Sequence, residues 1–212
     1  DIKQLIFEKV EKYRKPGSIV SSNTSSIPIS QLSQGRSEDF KKHFCGTHFF
    51  NPPRYLRLLE IIPIAETRAE LVDFFMHFGE VNLGKQTVLC KDSPAFIANR
   101  IGVMSGVKVF DLTQKYDLSI EEVDALTGAL IGRPNTGTFR LQDLVGLDTG
   151  EKVTQFVVNN VKNDSFFESL GKAPETKFMT FLLENNFLGN KTGKGFYHKT
   201  DQKDKNGKTI IN

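Results

Sequence analysis

Apolar residues along this chain keep two different periods, and the change from one to the other divides it. Ile2, Leu5, Ile6 and Val10 fall on one side of a 3.6-residue wheel, which predicts a helix over residues 2–15 that Pro16-Gly17 ends. Short apolar runs of strand length follow at residues 18–22, 44–50, 58–64 and 86–90. Between them lie a short helix at residues 29–34 and an amphipathic helix at 67–82. Leu71, Val72, Phe74, Phe75, Phe78 and Val81 carry the second of these, and it stops near Gly84. Helices alternating with short strands are the signature of a layered α/β sheet. After Cys90 the strands stop. Asp92-Ser93-Pro94 reads as an N-cap with proline in the first turn, opening a long helix over residues 95–115. Ser119-Ile-Glu-Glu122 is a capping box that starts a helix ending before Gly132. Further helices are expected at residues 141–146, 149–160 and 175–185. The pattern therefore places α/β structure in residues 1–91, an all-α unit in 92–198, and a polar tail or linker in 199–212.

Composition narrows what such a chain can do. With 212 residues and 38% hydrophobic content, it can bury a sizeable core. Its formal charge of +3 comes from 28 basic and 25 acidic residues mixed along the chain, so nothing argues for nucleic acid or a membrane surface as partner. Only residues 199–208, K-T-D-Q-K-D-K-N-G-K, cluster charge, and their alternating signs suit a solvated tail or hairpin. Cys45 and Cys90 each sit inside an apolar run. That placement predicts buried free thiols in a reducing, cytoplasmic compartment rather than a disulfide framework. No metal site is suggested. No apolar run approaches the ~20 residues of a membrane-spanning helix.

The stretch from His48 to Glu60, H-F-F-N-P-P-R-Y-L-R-L-L-E, joins a His, an Asn and a Glu through a Pro-Pro turn between two apolar runs. A Glu within hydrogen-bond reach of a His holds one ring tautomer and raises the imidazole's basicity, which prepares a general base. The competing reading is a core His and a strand-end Glu. Asn23-Thr24-Ser25-Ser26 crowds small polar side chains at the carboxyl end of a strand, where ligands bind in open parallel sheets; an ordinary turn before a short helix explains it equally. Gly102 and Gly106, four apart on the long helix, invite a close helix–helix contact, within the chain or at a subunit interface. The glycine-rich end, Gly189 to Tyr197, lacks the P-loop spacing, although Lys191 could meet a phosphate as a point charge. The alternative there is a surface turn.

Five blocks together carry more than any one of them. Ser22-Asn-Thr-Ser-Ser26, His48-Phe-Phe-Asn-Pro52, Leu59-Glu-Ile61, Lys91-Asp-Ser-Pro-Ala-Phe-Ile-Ala-Asn-Arg100 and Lys191-Thr-Gly-Lys-Gly-Phe-Tyr197 resemble, in order and spacing, the L-3-hydroxyacyl-CoA dehydrogenases of fatty-acid β-oxidation. The resemblance implies a Rossmann-type NAD-binding domain followed by a helical domain that carries much of a homodimer contact. It implies an acyl-CoA substrate and NAD as cofactor. It also implies that His48 takes the proton of the 3-hydroxyl and that Glu60 orients and charges its ring. Ser25 and Asn99 would hydrogen-bond the substrate's oxygens, while Ser25, Asn51, Lys191 and Lys3 would lie against NAD.

Several departures accompany the match. The dinucleotide fingerprint G-x-G-x-x-G is nowhere in the sequence, nor is the acidic residue expected ~20 residues beyond it. The expectation is a fragment: the C-terminal part of the NAD-binding domain plus the helical domain, with little or no NAD-dependent activity by itself. Ala95 stands where the family usually has glycine, and the segment between Ser26 and His48 is about two residues longer than in single-function members. The polar end past Tyr197 resembles the run-on of dehydrogenase/enoyl-CoA hydratase fusions. A second reading is a non-catalytic dimerisation or assembly module, which has no use for His48, Asn51, Glu60 and Asn99 together. A third is a relative acting on another hydroxy acid.

Overall fold

The computed structural model describes residues 2–170, 177–203 and 209–211. The chain forms two compact units, residues 1–100 and 101–212. In the first, helix α1 (Ile2–Tyr13) leads into strand β1 (Val20–Ser22), followed by short helices α2 (Ile29–Leu32) and α3 (Glu38–Lys42). Strands β2 (Phe44–Phe49) and β3 (Leu58–Pro63), helix α4 (Ala69–His77) with a π-helical turn at Phe78–Asn82, and strand β4 (Gln86–Leu89) complete it. The sheet order is β1-β2-β3-β4. It is mixed: β1 and β2 run parallel, β2 and β3 antiparallel, β3 and β4 parallel.

Side chains alternate across β2 and β3, and each face has its own core. On one face Phe44 and Ile62 pack with Phe7, Ile29, Leu32, Phe40, Cys90 and Phe96. On the other, Cys45, Leu59 and Ile61 pack with Leu71 of α4. Burial on both faces explains why these strands read as unbroken apolar runs. Gly46 permits the close approach of α2: a Cβ there would lie 2.8 Å from Ile29 Cγ1 and 3.0 Å from Ile62 Cβ. His48 and Glu60 belong to the Phe44–Ile62 face, one pair further along the ladder.

Two expectations change here. The long helix α5 spans Ala98–Lys115, not residues 95–115, because Ala95 and Phe96 have φ of +61° and +51° and turn the chain before it becomes helical. Asp92 does not cap that helix either. Its two carboxylate oxygens accept the backbone N–H groups of Ile29 at 2.5 Å and Ser30 at 2.8 Å, so it serves the first turn of α2, 63 residues away in sequence.

The second unit continues α5 and adds α6 (Ile120–Thr127), α7 (Phe139–Val145), α8 (Leu147–Asn160), α9 (Ser165–Leu170), α10 (Lys177–Glu184) and a hairpin of β5 (Lys199–Lys203) with β6 (Thr209–Ile211). The capping box forms as expected: Ser119 Oγ accepts the Glu122 N–H, and the Glu122 carboxylate accepts the Ser119 N–H. Residues 175 and 176, expected to open the last helix, lie outside the described residues. Two buried carboxylates organise the remainder. Asp124 accepts the N–H groups of Thr138, Phe139 and Arg140 and the Tyr197 hydroxyl. Asp143 accepts those of Phe196 and Tyr197, both at 2.9 Å. The glycine-rich end closes over Asp143: a Cβ at Gly195 would lie 2.0 Å from its Oδ1, and one at Gly189, with φ of +90°, 2.4 Å from its carbonyl oxygen. Gly189 and Gly195 thus serve close packing, and two amides of this end are given to a carboxylate. The close helix contact expected at Gly102 and Gly106 is not made among the described residues. Gly102 faces open space, and a Cβ at Gly106 would meet Gln142 Nε2 at 3.9 Å.

Candidate active site

In the antiparallel ladder His48 lies directly opposite Glu60, and directly opposed residues on one face hold their Cβ atoms about 5 Å apart. Two side chains of this length then meet without strain. His48 Nδ1 and Glu60 Oε2 are 2.6 Å apart, with His48 3% exposed and Glu60 fully buried. The second carboxylate oxygen, Oε1, accepts the backbone N–H groups of Ile97 at 3.1 Å and Ala98 at 2.8 Å, at the start of α5. A carboxylate so engaged leaves Oε2 as an acceptor, so Nδ1 carries a ring proton, and in the neutral ring Nε2 then keeps its lone pair. Among the described residues Nε2 has no hydrogen-bond partner. Phe50 and Phe96 flank the imidazole with ring centroids 4.3 and 5.7 Å away. The Cys90 thiol lies near the same carboxylate: burial first, then the Glu60 charge, pushes it up to about 12.

The other candidates of the first unit gather at the same end of the sheet, where β1 and the parallel β2 finish. Asn23 Oδ1 accepts the Phe49 N–H at 2.9 Å and ties the two strand ends together. Thr24 Oγ1 contacts Ser22 Oγ at 2.7 Å and accepts from Lys3 Nζ at 3.0 Å, which brings the start of α1 to this edge. Asn99 Nδ2 donates to the Ser25 carbonyl at 2.9 Å, and the Ala95 N–H donates to the Ser26 carbonyl at 2.9 Å. Ser25 and Asn51 are exposed, and among the described residues the Ser25 hydroxyl has no protein partner. The structure thus brings Lys3, Ser25, His48, Glu60 and Asn99 into one connected neighbourhood, with Asn51 three residues beyond His48. Lys191 is different. It belongs to the second unit and forms an ion pair with Asp148, whose carboxyl that contact holds below its usual range.

Two family models match, in chain order: "3-hydroxyacyl-CoA dehydrogenase, NAD binding domain" over residues 1–93 and "3-hydroxyacyl-CoA dehydrogenase, C-terminal domain" over residues 96–199. The chain belongs to the 3-hydroxyacyl-CoA dehydrogenase family. A probable 3-hydroxyacyl-CoA dehydrogenase of Bacillus subtilis is 48% identical over 210 residues, which is 99% of this chain and 25% of that protein. Its counterpart in Deinococcus radiodurans is 44% identical over 94% of this chain and 56% of its own length. The chain therefore spans only a quarter to about half of these relatives. Among solved structures, the (S)-3-hydroxybutyryl-CoA dehydrogenase PaaH1 of Ralstonia eutropha superposes with a TM-score of 0.80 at 28% identity, covering 95% of this chain and 67% of that one. The fold is thus a Rossmann-like NAD-binding domain followed by a helical domain, as the resemblance implied.

Ala95, at φ +61°, takes a conformation that glycine adopts without a Cβ penalty, at the position where the resemblance leads one to expect glycine. What the sequence did not disclose are the groups that hold the dyad: the Ile97 and Ala98 amides on Glu60, the Phe96 ring against His48, and Asn23 on Phe49. Alanine at 95, where the resemblance leads one to expect glycine, was the one local sign that residues 95–98 had a special backbone. Asn23 stood within the polar cluster at the end of β1, but nothing local pointed to the Phe49 amide as its partner.

Proposed function

We propose that the polypeptide carrying this chain oxidises (3S)-3-hydroxyacyl-CoA to 3-oxoacyl-CoA with NAD. The observation that supports it most is the buried His48–Glu60 pair, in which Nδ1 is engaged and Nε2 is left open. His48 Nε2 takes the proton of the substrate's 3-hydroxyl, and Glu60 holds the ring in the tautomer that can do so. Ser25 and Asn99 bind the substrate's oxygens; as neutral donors they stabilise developing oxyanion character without competing for the proton. Bound NAD supplies the hydride acceptor. The exposed Ser25 and Asn51 side chains and the nearby Lys3 fit such a cofactor, because they lie at the carboxyl ends of parallel strands, where dinucleotides bind in α/β sheets. Lys191 would exchange its Asp148 partner for a cofactor phosphate.

The decisive variant is His48→Gln. We expect turnover with 3-hydroxyacyl-CoA and NAD to fall by about 10²–10⁴-fold while the circular dichroism spectrum is retained. Unchanged turnover would remove His48 from the role of base.

We also infer self-association through the helical unit. Leu130, Ile131, Leu126 and Val145 are 76, 61, 52 and 52% exposed, large apolar side chains that a partner subunit would cover. Light scattering at a strictly monomeric mass would overturn this.

A further inference from the structure

His48 and Glu60 account for the base and its carboxylate, but the first unit spends unusual backbone geometry on holding that carboxylate. Two consecutive residues with side chains, Ala95 and Phe96, adopt positive φ. Conformations of this kind are strained for non-glycine residues and persist only where the surroundings over-determine them. Here the surroundings do. Ala95 is fully buried and Phe96 is 2% exposed, and the Ala95 N–H is bonded to the Ser26 carbonyl. Past the corner the chain presents two successive N–H groups, of Ile97 and Ala98, to one oxygen of Glu60.

We propose that the Ala95–Phe96 corner is a positioning element for the His48 base, acting through Glu60 from behind and through the Phe96 ring from the side. Free to rotate, the Glu60 carboxylate could offer either oxygen, or a bifurcated edge, to the imidazole. With Oε1 committed to two backbone donors, only Oε2 faces Nδ1, and its direction is set by main chain rather than by a rotatable side chain. The Phe96 ring, 5.7 Å from the imidazole centroid, limits tilting of His48 about that bond. A neutral histidine in water favours the Nε2–H tautomer, which cannot accept a proton at Nε2. Glu60, an acceptor in any rotamer, selects the less common tautomer on which proton abstraction depends, and the corner fixes the line along which Nε2 then points. Neither Ala95 nor Phe96 needs to touch substrate for this.

This inference rests on the dehydrogenase reading above, and the test separates the two. Ala98→Pro deletes one donor to Oε1 at a first-turn position where proline is tolerated. Phe96→Leu removes the ring and leaves the amides. Proton–nitrogen-15 NMR of the His48 imidazole in the substrate-free protein reports the Nδ1–H···Oε2 hydrogen bond without any turnover. We expect all forms to keep the Nδ1–H tautomer, with a far-downfield Nδ1–H proton in wild type that moves upfield, or exchanges too fast to be seen, in both variants. We expect their kcat to fall at least about tenfold, with KM within about threefold. Ala95→Gly, which keeps the positive φ, should preserve the wild-type signal. If Ala98→Pro does not fold, Phe96→Leu alone decides. A wild-type Nδ1–H signal and kcat in the folded variants would overturn the positioning role and leave the dehydrogenase reading standing. A shifted Nδ1–H signal in the variants of a protein inactive on 3-hydroxyacyl-CoA would do the reverse.

Discussion

Glu60 is the residue on which the polar contacts behind the candidate base converge. It is fully buried, faces an imidazole on one oxygen and two main-chain N–H groups on the other, and so has almost no acceptor capacity unused. That arrangement predicts different outcomes for two substitutions. In Glu60→Gln the Ile97 and Ala98 amides, being donors only, select the carboxamide oxygen, so the NH₂ group must face His48 Nδ1. The ring then has to accept at Nδ1 and carry its proton on Nε2, which abolishes proton abstraction with little change in packing. We expect turnover to drop by about 10²–10⁴-fold and the thermal midpoint to stay close to wild type. Glu60→Ala instead leaves two amides and the imidazole unpartnered in a dry site, a loss of about 3 kcal/mol or more, readable as a lower urea midpoint. A Gln variant with full turnover would show that the tautomer is not set by this carboxylate. The pair was legible in sequence as a candidate, a His and a Glu twelve residues apart across a Pro-Pro turn; that they stand opposed follows only from the antiparallel pairing of the flanking runs. The carboxylate's second set of partners was not legible, because backbone amides carry no sequence signature.

Among the elements, β2, β3, α4 and the α6 capping box followed from periodicity and caps, with ends moved by a few residues. The elements that escaped were α3 and α9, of five and six residues. Little more than one turn cannot establish a 3.6-residue period. The antiparallel step between β2 and β3 was likewise invisible, since strand direction is a property of the pair and not of either run. Asp92 shows the same limit more sharply. Followed by Ser-Pro, it reads locally as the N-cap of the next helix, yet tertiary structure assigns its carboxylate to the Ile29 and Ser30 amides of α2. Its loss should therefore act on α2 and not on α5. We expect Asp92→Ala to lower unfolding stability by about 1–2 kcal/mol, with Asp92→Asn intermediate because one of its two terminal atoms becomes a donor. In hydrogen exchange, protection should fall first at residues 29–33. Loss of protection at residues 98–102 with α2 unaffected would restore the local reading.

At the scale of the molecule, both units bury groups that are costly to ionise, and the two cysteines make the consequence measurable. The expectation of buried free thiols holds: Cys45 and Cys90 are free, and 0 and 3% exposed. Burial pushes both thiols from 9.0 up to about 12, with the Glu60 charge adding to the effect at Cys90. A thiol that holds its proton more tightly when folded contributes stability that is fully present below its unfolded pKa and is lost as pH rises through the folded one. Between pH ~9 and ~12 the unfolded chain releases protons that the folded chain retains, so the stability curve should slope downward by up to about 1.4 kcal/mol per pH unit for each thiol. Carboxylates contribute nothing to this slope, because they are ionised in both states there. Cys45→Ala provides the control. It lowers stability at pH 7 by removing buried volume, but it should flatten the alkaline slope by about one proton's worth. The same burial predicts that neither thiol reacts with a disulfide reagent at pH 8 until the protein is unfolded. Urea titrations at half-unit steps from pH 8 to 11, on wild type and Cys45→Ala, measure the difference directly. Parallel slopes for the two proteins would mean that Cys45 ionises equally well folded and unfolded, and hence that the core behind β2 admits water.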